Sequence, residues 1–266
     1  MAEMQSLGDA VANMKSFSRA PKLNMTPQQA QEWRYKQDRE ADAQNYQKWL
    51  KLRRATIRGF SVWGTCGRQK FTSEEWRTDL QPTEESCKKA YDLKAKAANI
   101  ANRLKTESFN VLFAGQSGVG KTSLALVVLD HIEKTTNKSI MYVSVTDLRE
   151  LILGVFNDPE AKKRLDHIER AMREADVLML DDLGSESGGM KGGGQATESV
   201  QRFYYRIAEH RQKRVNGKRI YTNIITTNNS KEELNAIYNE KIISRLLTKN
   251  VDNMLIFKGM EDMRID

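Results

Sequence analysis

The strongest constraint on the fold is the stretch from Phe109 to Ser123, FNVLFAGQSGVGKTS, in which a short apolar run leads into a glycine-rich turn. The turn fits the pattern G-x-x-x-x-G-K-[ST], in which backbone N–H groups surround phosphates, a lysine reaches the β- and γ-phosphates, and a hydroxyl binds Mg²⁺. The apolar run predicts a buried strand, and helical spacing from Thr122 to Ile132 predicts a helix whose N-terminus faces the anion. A glycine-rich surface turn, the alternative, accounts for neither flank. The predicted phosphate-binding residues are Gly115, Gln116, Ser117, Gly118, Val119, Gly120, Lys121, Thr122 and Ser123.

A second landmark is the segment from Ala175 to Asp182, ADVLMLDD, an apolar run that ends in two acids. It predicts a buried strand that delivers both carboxylates at its carboxyl end, some sixty residues after the phosphate loop. In that position Asp181, together with Thr122, is expected to hold Mg²⁺, and Asp182 is expected to polarise an attacking water. The alternative is a strand that ends in a capped turn.

Strands and helices alternate from Phe109 onward, which predicts an α/β domain with a parallel sheet between layers of helices. A third strand, predicted from Arg219 to Thr227, ends beside Asn228, whose amide could orient water next to a γ-phosphate. The glycine-rich segment from Gly184 to Gln195 predicts a mobile loop near the same edge of the sheet.

The 266 residues suffice for one such domain plus an appended segment. The chain has no apolar run long enough to span a bilayer and no signal-peptide core, so we expect a soluble, cytoplasmic protein without a membrane partner. Two cysteines are too few for a disulfide framework and are not spaced as zinc ligands, and the three histidines are interpreted as ordinary surface or helix residues.

The N-terminal part differs in character from the rest of the chain. Residues 1–25 show no periodicity and predict a flexible leader. Thr26, Pro27 and Gln29 form a helix-start signature, and the helix that they open is predicted to run to about Arg54. This helix is polar nearly all round, which favours a role in binding a partner. The predicted organisation is a leader, a partner-binding segment with a basic linker over residues 26–70, and an α/β domain over residues 71–266.

The net charge of +8 is concentrated in the same part. The stretch from Ala43 to Ser73 contains no acid and mixes seven basic residues with aromatic ones. Such mixing suits single-stranded nucleic acid, because cations follow the backbone while rings stack on bases. A solvated helix face, followed by a linker whose aromatic residues dock on the α/β domain, explains the pattern equally well. A second run without acids, from His210 to Lys231, is explained by a basic helix end.

Taken together, the order of the phosphate loop, LMLDDLG, IITTNNS, EKIISRLL and KGMEDMR resembles the AAA+ ATPases of the DnaC/DnaI helicase-loader clade, to which the transposition helper IstB is related. The resemblance covers roughly residues 70–266. It implies that Gly115 to Thr122 is Walker A, that Asp181 and Asp182 are Walker B, and that Asn228 is sensor 1. Arg245 looks like an arginine finger that reaches a neighbouring subunit's nucleotide, and Arg264 stands where sensor 2 stands.

The resemblance further implies ATP and Mg²⁺ as cofactors, a ring or spiral of subunits, a hexameric DnaB-type replicative helicase held through the N-terminal segment, and single-stranded DNA. Two departures are evident: there is no zinc-ligand cluster in the N-terminal part, and the C-terminal helical lid is predicted to be absent or minimal. An IstB-like ATPase acting on duplex DNA and a P-loop kinase are the competing interpretations. For Arg245, the competing interpretation is an ordinary surface arginine in an ion pair.

Overall fold

The computed structural model describes residues 26–64, 72–155, 158–185 and 194–262. The predicted leader, most of the glycine-rich loop and Arg264 therefore lie outside the described residues. The chain divides into two compact units, one ending at Trp49 and the other beginning at Leu50. None of the helices in the described ranges is long and apolar enough to cross a membrane.

The described part of the first unit belongs to the helix α1, Pro27–Gly59, which continues past the division. Its start is the predicted one: Thr26 donates its N–H to Oε1 of Gln29 at 2.9 Å, and Gln29 donates its N–H to Oγ1 of Thr26 at 3.3 Å. The helix ends five residues later than Arg54, at the first glycine of the segment. Most of its residues before Leu50 are exposed to solvent, among them the large rings of Tyr35 and Tyr46.

The second unit is built on a parallel sheet of five strands in the order β2-β3-β6-β1-β7. The strands are β1 (Val111–Ala114), β2 (Ile140–Ser144), β3 (Val177–Asp181), β6 (Thr222–Thr227) and β7 (Met254–Ile256). Between β3 and β6 the chain forms a separate antiparallel hairpin, β4 (Arg214–Val215) and β5 (Lys218–Arg219).

Helices cover both faces of this sheet, so the predicted three-layer α/β sandwich is confirmed. They are α2 (Glu84–Arg103), α3 (Lys121–Thr135), α4 (Val145–Gly154), α5 (Pro159–Glu174), α6 (Glu198–His210), α7 (Lys231–Ile237) and α8 (Glu240–Leu246). One apolar cluster joins α2 and α3 to one face, and a second joins α4 to α8 to the other. Strands β2 and β3 are buried and apolar on both faces up to the polar residue that ends each of them, as is typical of parallel sheets. After β7 the described residues form no helix that would act as a lid.

A local cap sets the start of one helix, and a turn sets the end of another. Helix α4 begins at Val145 and is capped by Ser144, because Oγ of Ser144 accepts the N–H of Asp147. Helix α6 ends at His210, because the chain then turns into the hairpin. Asn216 and Gly217 supply that turn, with φ of 50° and 74°, which is the left-handed geometry that a two-residue hairpin requires.

The basic stretch after Trp49 is part of the second unit and packs on the α/β domain within it. Arg53 donates to Oδ2 of Asp176 and to the carbonyl of Glu174, both at 2.7 Å, and Arg54 donates to the carbonyl of Glu133 at 2.6 Å. Burial opposes ionisation of Asp176, but the hydrogen bonds from Arg53 and Ser139 outweigh it and lower the pKa of that carboxyl. These contacts are those expected of a docked linker.

The aromatic residues of the same stretch also pack on this unit. Phe60 stacks on His167, and Trp63 stacks on Tyr142 with ring centroids 4.1 Å apart. Between them, Val62 forms a parallel bridge with Val143 at the outer edge of β2. The described part of the stretch thus matches the docking interpretation better than that of a free nucleic-acid arm.

The basic helix end after α6 has a structural role at Arg211, whose side chain is fully buried. Its guanidinium donates to Oδ1 of Asn223 at 2.5 Å and to three carbonyls, those of Met172 at 2.8 Å, Ala175 at 2.7 Å and Thr222 at 2.7 Å. Burial lowers the pKa of Arg211 to about 9. One side chain therefore ties the ends of α5 and α6 to the start of β6.

We expect Arg211→Leu to lower the free energy of unfolding by about 3–5 kcal/mol, because it leaves four buried acceptors without their donor. The neighbouring Lys213 is exposed, and Lys213→Leu is the matched control, with an expected change within about 0.5 kcal/mol. Chemical denaturation followed by circular dichroism measures both values. Equal stability of the two variants would contradict the anchoring role of Arg211.

Candidate functional site

The predicted phosphate loop connects β1 to α3 at the carboxyl edge of the sheet. Gly120 precedes the first turn of α3 with φ of 85°, so it takes the cap position without a side chain, and the N-terminal N–H groups of the helix point into the loop. A Cβ at Gly115 would lie 2.7 Å from Cβ of Phe257, too close for any side chain. The glycines at these two positions are therefore required by the path of the backbone.

Lys121 lies across the loop with only 6% of its surface exposed. Its Nζ donates to the carbonyl of Gln116 at 2.6 Å and to Oδ1 of Asn228 at 2.5 Å. The ammonium thus bridges the phosphate loop and the end of β6. This places a positive charge beside the N–H groups of the loop, where charge-assisted contacts to phosphate oxygens are strongest.

Asp181 ends β3 and faces the start of α3. Oδ1 of Asp181 accepts the hydroxyl of Thr122 at 2.8 Å and that of Thr226 at 2.7 Å. A carboxylate and a hydroxyl beside a phosphate loop are hard oxygen ligands of the kind that Mg²⁺ takes, with phosphates and water completing its shell. Thr122 and Asp181 therefore fit a magnesium ion. Within the described ranges no group of three or more His, Cys, Asp or Glu forms an all-protein cage.

Asp182 has a left-handed backbone with φ of 62°, which is unusual for a residue other than glycine. Its N–H donates to Oγ1 of Thr226 at 2.8 Å, and its Oδ1 accepts Nδ2 of Asn228 at 2.8 Å. Such a conformation costs on the order of 1–3 kcal/mol and is found mainly where function requires a particular side-chain position. Here it brings the second acid to the amide that also contacts Lys121.

These groups line one cavity of about 260 Å³. The lining comes from three separate segments of the chain and comprises Ser117, Gly118, Gly120, Lys121, Thr122, Ser123, Asp181, Asp182 and Asn228. Larger grooves of about 690 and 640 Å³ lie elsewhere, but neither contains the phosphate loop. The small polar cavity is the one whose chemistry suits a phosphate chain.

Of the remaining predicted site residues, Val119 is buried and Arg245 lies away from the cavity. Arg245 forms an ion pair with Glu209 of α6 at 2.8 Å and donates to the carbonyl of Lys241 at 3.0 Å. Its guanidinium also lies over the ring of Tyr205, 5.4 Å from the centroid. The structure therefore shows the surface ion pair that was the alternative to a finger. Arg264 lies outside the described residues.

Sequence reasoning missed two aromatic residues that support the site. Tyr142 donates its hydroxyl to Oδ2 of Asp181 at 2.8 Å, and burial together with the negative charge of Asp181 raises the pKa of this tyrosine. Trp76 donates its indole N–H to the carbonyl of Gly120 at 3.1 Å. The pairing of Tyr142 with Met179 places Tyr142 and Asp181 on the same face of the sheet, but this register cannot be read from the chain alone.

A parallel sheet with a glycine-rich loop leading into a helix, a buried lysine and an acid pair at the end of another strand define a P-loop nucleotide-binding protein of the ATPase type. The chain belongs to the family "ATPase family associated with various cellular activities (AAA)", whose model matches residues 111–248. No curated protein matches the chain.

Several solved structures are similar to this chain. One is the replication initiator DnaA bound to AMPPCP and single-stranded DNA, with 17% identity and a TM-score of 0.48, covering 67% of this chain and 48% of that one. The chain thus spans about half the length of that relative. The DnaC helicase loader has 20% identity and a TM-score of 0.44, covering 69% and 97%. DnaI has 22% identity and a TM-score of 0.44, covering 58% and 80%.

Tyr142→Phe tests whether the hydrogen bond from Tyr142 to Asp181 supports the magnesium site, because it removes the hydroxyl and keeps the ring that stacks on Trp63. We expect the Mg²⁺ concentration that half-saturates the ATP complex to rise about tenfold, since losing an outer hydrogen bond to a metal ligand weakens metal affinity by about 10- to 100-fold. Titration calorimetry with Mg²⁺ in the presence of ATP measures the change. Tyr91→Phe, at an exposed tyrosine of α2, is the control. If both variants needed the same Mg²⁺ concentration as each other, the hydroxyl of Tyr142 would have no role in supporting the magnesium site.

Proposed function

We propose that the protein binds ATP with Mg²⁺ and hydrolyses it. The observation that carries this proposal is the contact of Asn228 with both Lys121 and Asp182, at 2.5 Å and 2.8 Å, inside the cavity formed by the phosphate loop. A phosphate-binding cation, an acid and an amide thereby meet where the γ-phosphate of a nucleotide would lie.

Each side chain then has a distinct task. The loop N–H groups and Lys121 bind the β- and γ-phosphates, and Thr122 and Asp181 hold the metal. Asp182 accepts a hydrogen bond from the attacking water, and Asn228 fixes the position of both that carboxylate and the water. When bound, Mg²⁺ supplies neutralisation of the charge that develops on the phosphate oxygens.

We further propose that this ATPase is a helicase loader that places a hexameric DnaB-type replicative helicase on single-stranded DNA. The proposal is supported by the order of the five motifs shared with the DnaC/DnaI clade and by membership of the AAA family. Helix α1 supports it as well, since its part before Leu50 is largely exposed and carries the rings of Tyr35 and Tyr46 at the surface. An exposed helix with aromatic residues at its surface is suited to binding a partner protein.

The alternative is an IstB-like ATPase that acts on duplex DNA. Co-purification of the full chain with a replicative helicase in the presence of ATP discriminates the two, together with a comparison of single- and double-stranded DNA as ligands. Helicase binding and a preference for single strands support the loader. A preference for duplex DNA with no helicase bound would replace it by the alternative.

Asp182→Asn should keep ATP affinity and lose most of the hydrolysis. The asparagine preserves the shape and the contact to Asn228, but it cannot polarise water as a carboxylate does. Phosphate release measures turnover, and a fluorescent ATP analogue measures affinity. Asp166→Asn, which removes an exposed acid from α5, is the charge-matched control and should retain parental turnover. Unchanged turnover of Asp182→Asn would mean that the role of Asp182 is misassigned.

We also propose that Arg245 acts on a neighbouring subunit's nucleotide and that the ion pair with Glu209 is its resting contact. Arg245→Ala should then abolish hydrolysis in the assembled state, because an arginine finger contributes on the order of 10³-fold or more in rate. Glu209→Gln breaks the same ion pair, leaves the arginine in place and should keep hydrolysis. Matching losses in the two variants would reduce Arg245 to a structural ion pair.

Mixing tests the action between subunits directly. Arg245→Ala and Lys121→Ala subunits, each inactive alone, should recover part of the ATPase activity when they are combined under conditions of assembly. Some interfaces then join an intact phosphate loop to an intact arginine. A mixture as inactive as its components would exclude action in trans.

A further inference from the structure

A groove of about 690 Å³ lies at the amino ends of the strands, opposite the end of the sheet that carries the nucleotide site. It is lined by the segments that immediately precede β1, β6 and β7, so it faces the amino ends of these strands, whereas the phosphate loop lies at the carboxyl end of β1. At about 3.3 Å per residue, the four residues of β1 separate the two sites by roughly 13 Å of sheet. Its basic lining residues are Arg214, Lys218, Arg219 and Lys249.

The positive charge of this groove is not balanced by acids. In the part of the chain that the structure describes, no carboxylate forms an ion pair with any of the four basic residues. Glu107, the one acid among the lining residues, instead pairs with Arg103 at 3.4 Å. Arg219 donates to two neutral oxygens, Oδ1 of Asn110 at 2.7 Å and Oε1 of Gln212 at 2.8 Å. These amides hold its guanidinium in place without neutralising it.

The hairpin adds a second observation, because it places like charges opposite each other. Arg214 and Arg219 are cross-strand partners in the register of β4 and β5. Like charges directly opposite each other in an antiparallel pair destabilise it, and burial together with the charge of Arg214 lowers the pKa of Arg219. Such an arrangement disfavours the empty groove and favours a bound anion, which would relieve the repulsion between the two guanidinium groups.

We propose that the groove binds backbone phosphates of a nucleic-acid strand. The proposal rests on the DNA-binding role proposed above and assigns that role a location, in place of the arginines at residues 53, 54 and 58, which contact the α/β unit. Several cations spread along an open groove suit a chain of phosphates better than a single small anion. The hydroxyls of Thr106, Ser108 and Thr248 line the same groove and supply neutral donors for phosphate oxygens.

The test compares two variants that each lose three exposed positive charges. The groove variant carries Arg214→Gln, Lys218→Gln and Lys249→Gln, and it keeps Arg219 because that side chain has structural contacts. The control carries Lys162→Gln, Lys163→Gln and Arg164→Gln on the exposed surface of α5. Fluorescence anisotropy with a labelled oligothymidylate gives the affinity over about 50–200 mM salt, and a fluorescent ATP analogue checks the nucleotide site.

We expect the groove variant to bind DNA at least about tenfold more weakly and the slope of log affinity against log salt to fall by about 2, which is about 0.7 for each of three lost phosphate contacts. The control should behave as the parent, and ATP affinity should be unchanged in both. An unchanged slope in the groove variant, or an equal loss in both variants, would overturn the proposal.

A titration with polyglutamate separates nucleic acid from an acidic protein partner. Weaker polyglutamate binding by the groove variant, with DNA binding intact, would overturn the proposal in favour of an acidic peptide. The loader function is tested independently, since its failure shows as a lack of helicase binding by the parental protein, whatever the groove binds. A parent that binds helicase and ATP but no DNA would refute the groove site alone.

Discussion

The carboxylate of Asp181 is the contact on which the rest of the site depends. It accepts hydroxyl hydrogen bonds from α3, β6 and β2, through Thr122, Thr226 and Tyr142. A charged acceptor with several donors forms stronger hydrogen bonds than neutral pairs do, and its partners are costly to remove. This one carboxylate thereby links the start of the phosphate-loop helix, strand β6 next to Asn228, and strand β2, which contacts Trp63. The distances between the side chains of the cavity therefore depend on one another.

Much of the fold was predictable because local signals agreed with the global arrangement. The apolar runs that end at Ala114 and Asp181 became parallel strands of one sheet, with β6 between them, and Thr26 and Gln29 formed the expected cap. Other features were decided by tertiary contacts or turn chemistry. Helix α6 ends where Asn216 and Gly217 turn the chain back, and Arg211 became a buried anchor within the run that the sequence explained as a basic helix end.

The candidate site likewise has features that the sequence predicted and features that it could not predict. Motifs that lie within one segment, such as Gly115 to Ser123 and the acid pair at Asp181, predicted which side chains gather at the cavity. Tyr142 was not predictable, because its link to Asp181 depends on which strands pair and in which register. The charges of Ala43 to Ser73 were ambiguous for a related reason: composition records that arginines are present, but not that the carboxylate of Asp176 lies within reach of one of them.

The bridge between Val62 and Val143 has a consequence for the integrity of the sheet. Strand β2 is one of the two edge strands of the sheet, and an uncovered edge strand offers unpaired N–H and C=O groups to other chains. Val62 donates its N–H to the carbonyl of Tyr142 at 2.9 Å and accepts the N–H of Ser144 at 2.8 Å, which occupies two of those groups. Proteolytic loss of the segment that ends at Trp63 would therefore expose a template for edge-to-edge aggregation, even if the nucleotide cavity itself stayed intact.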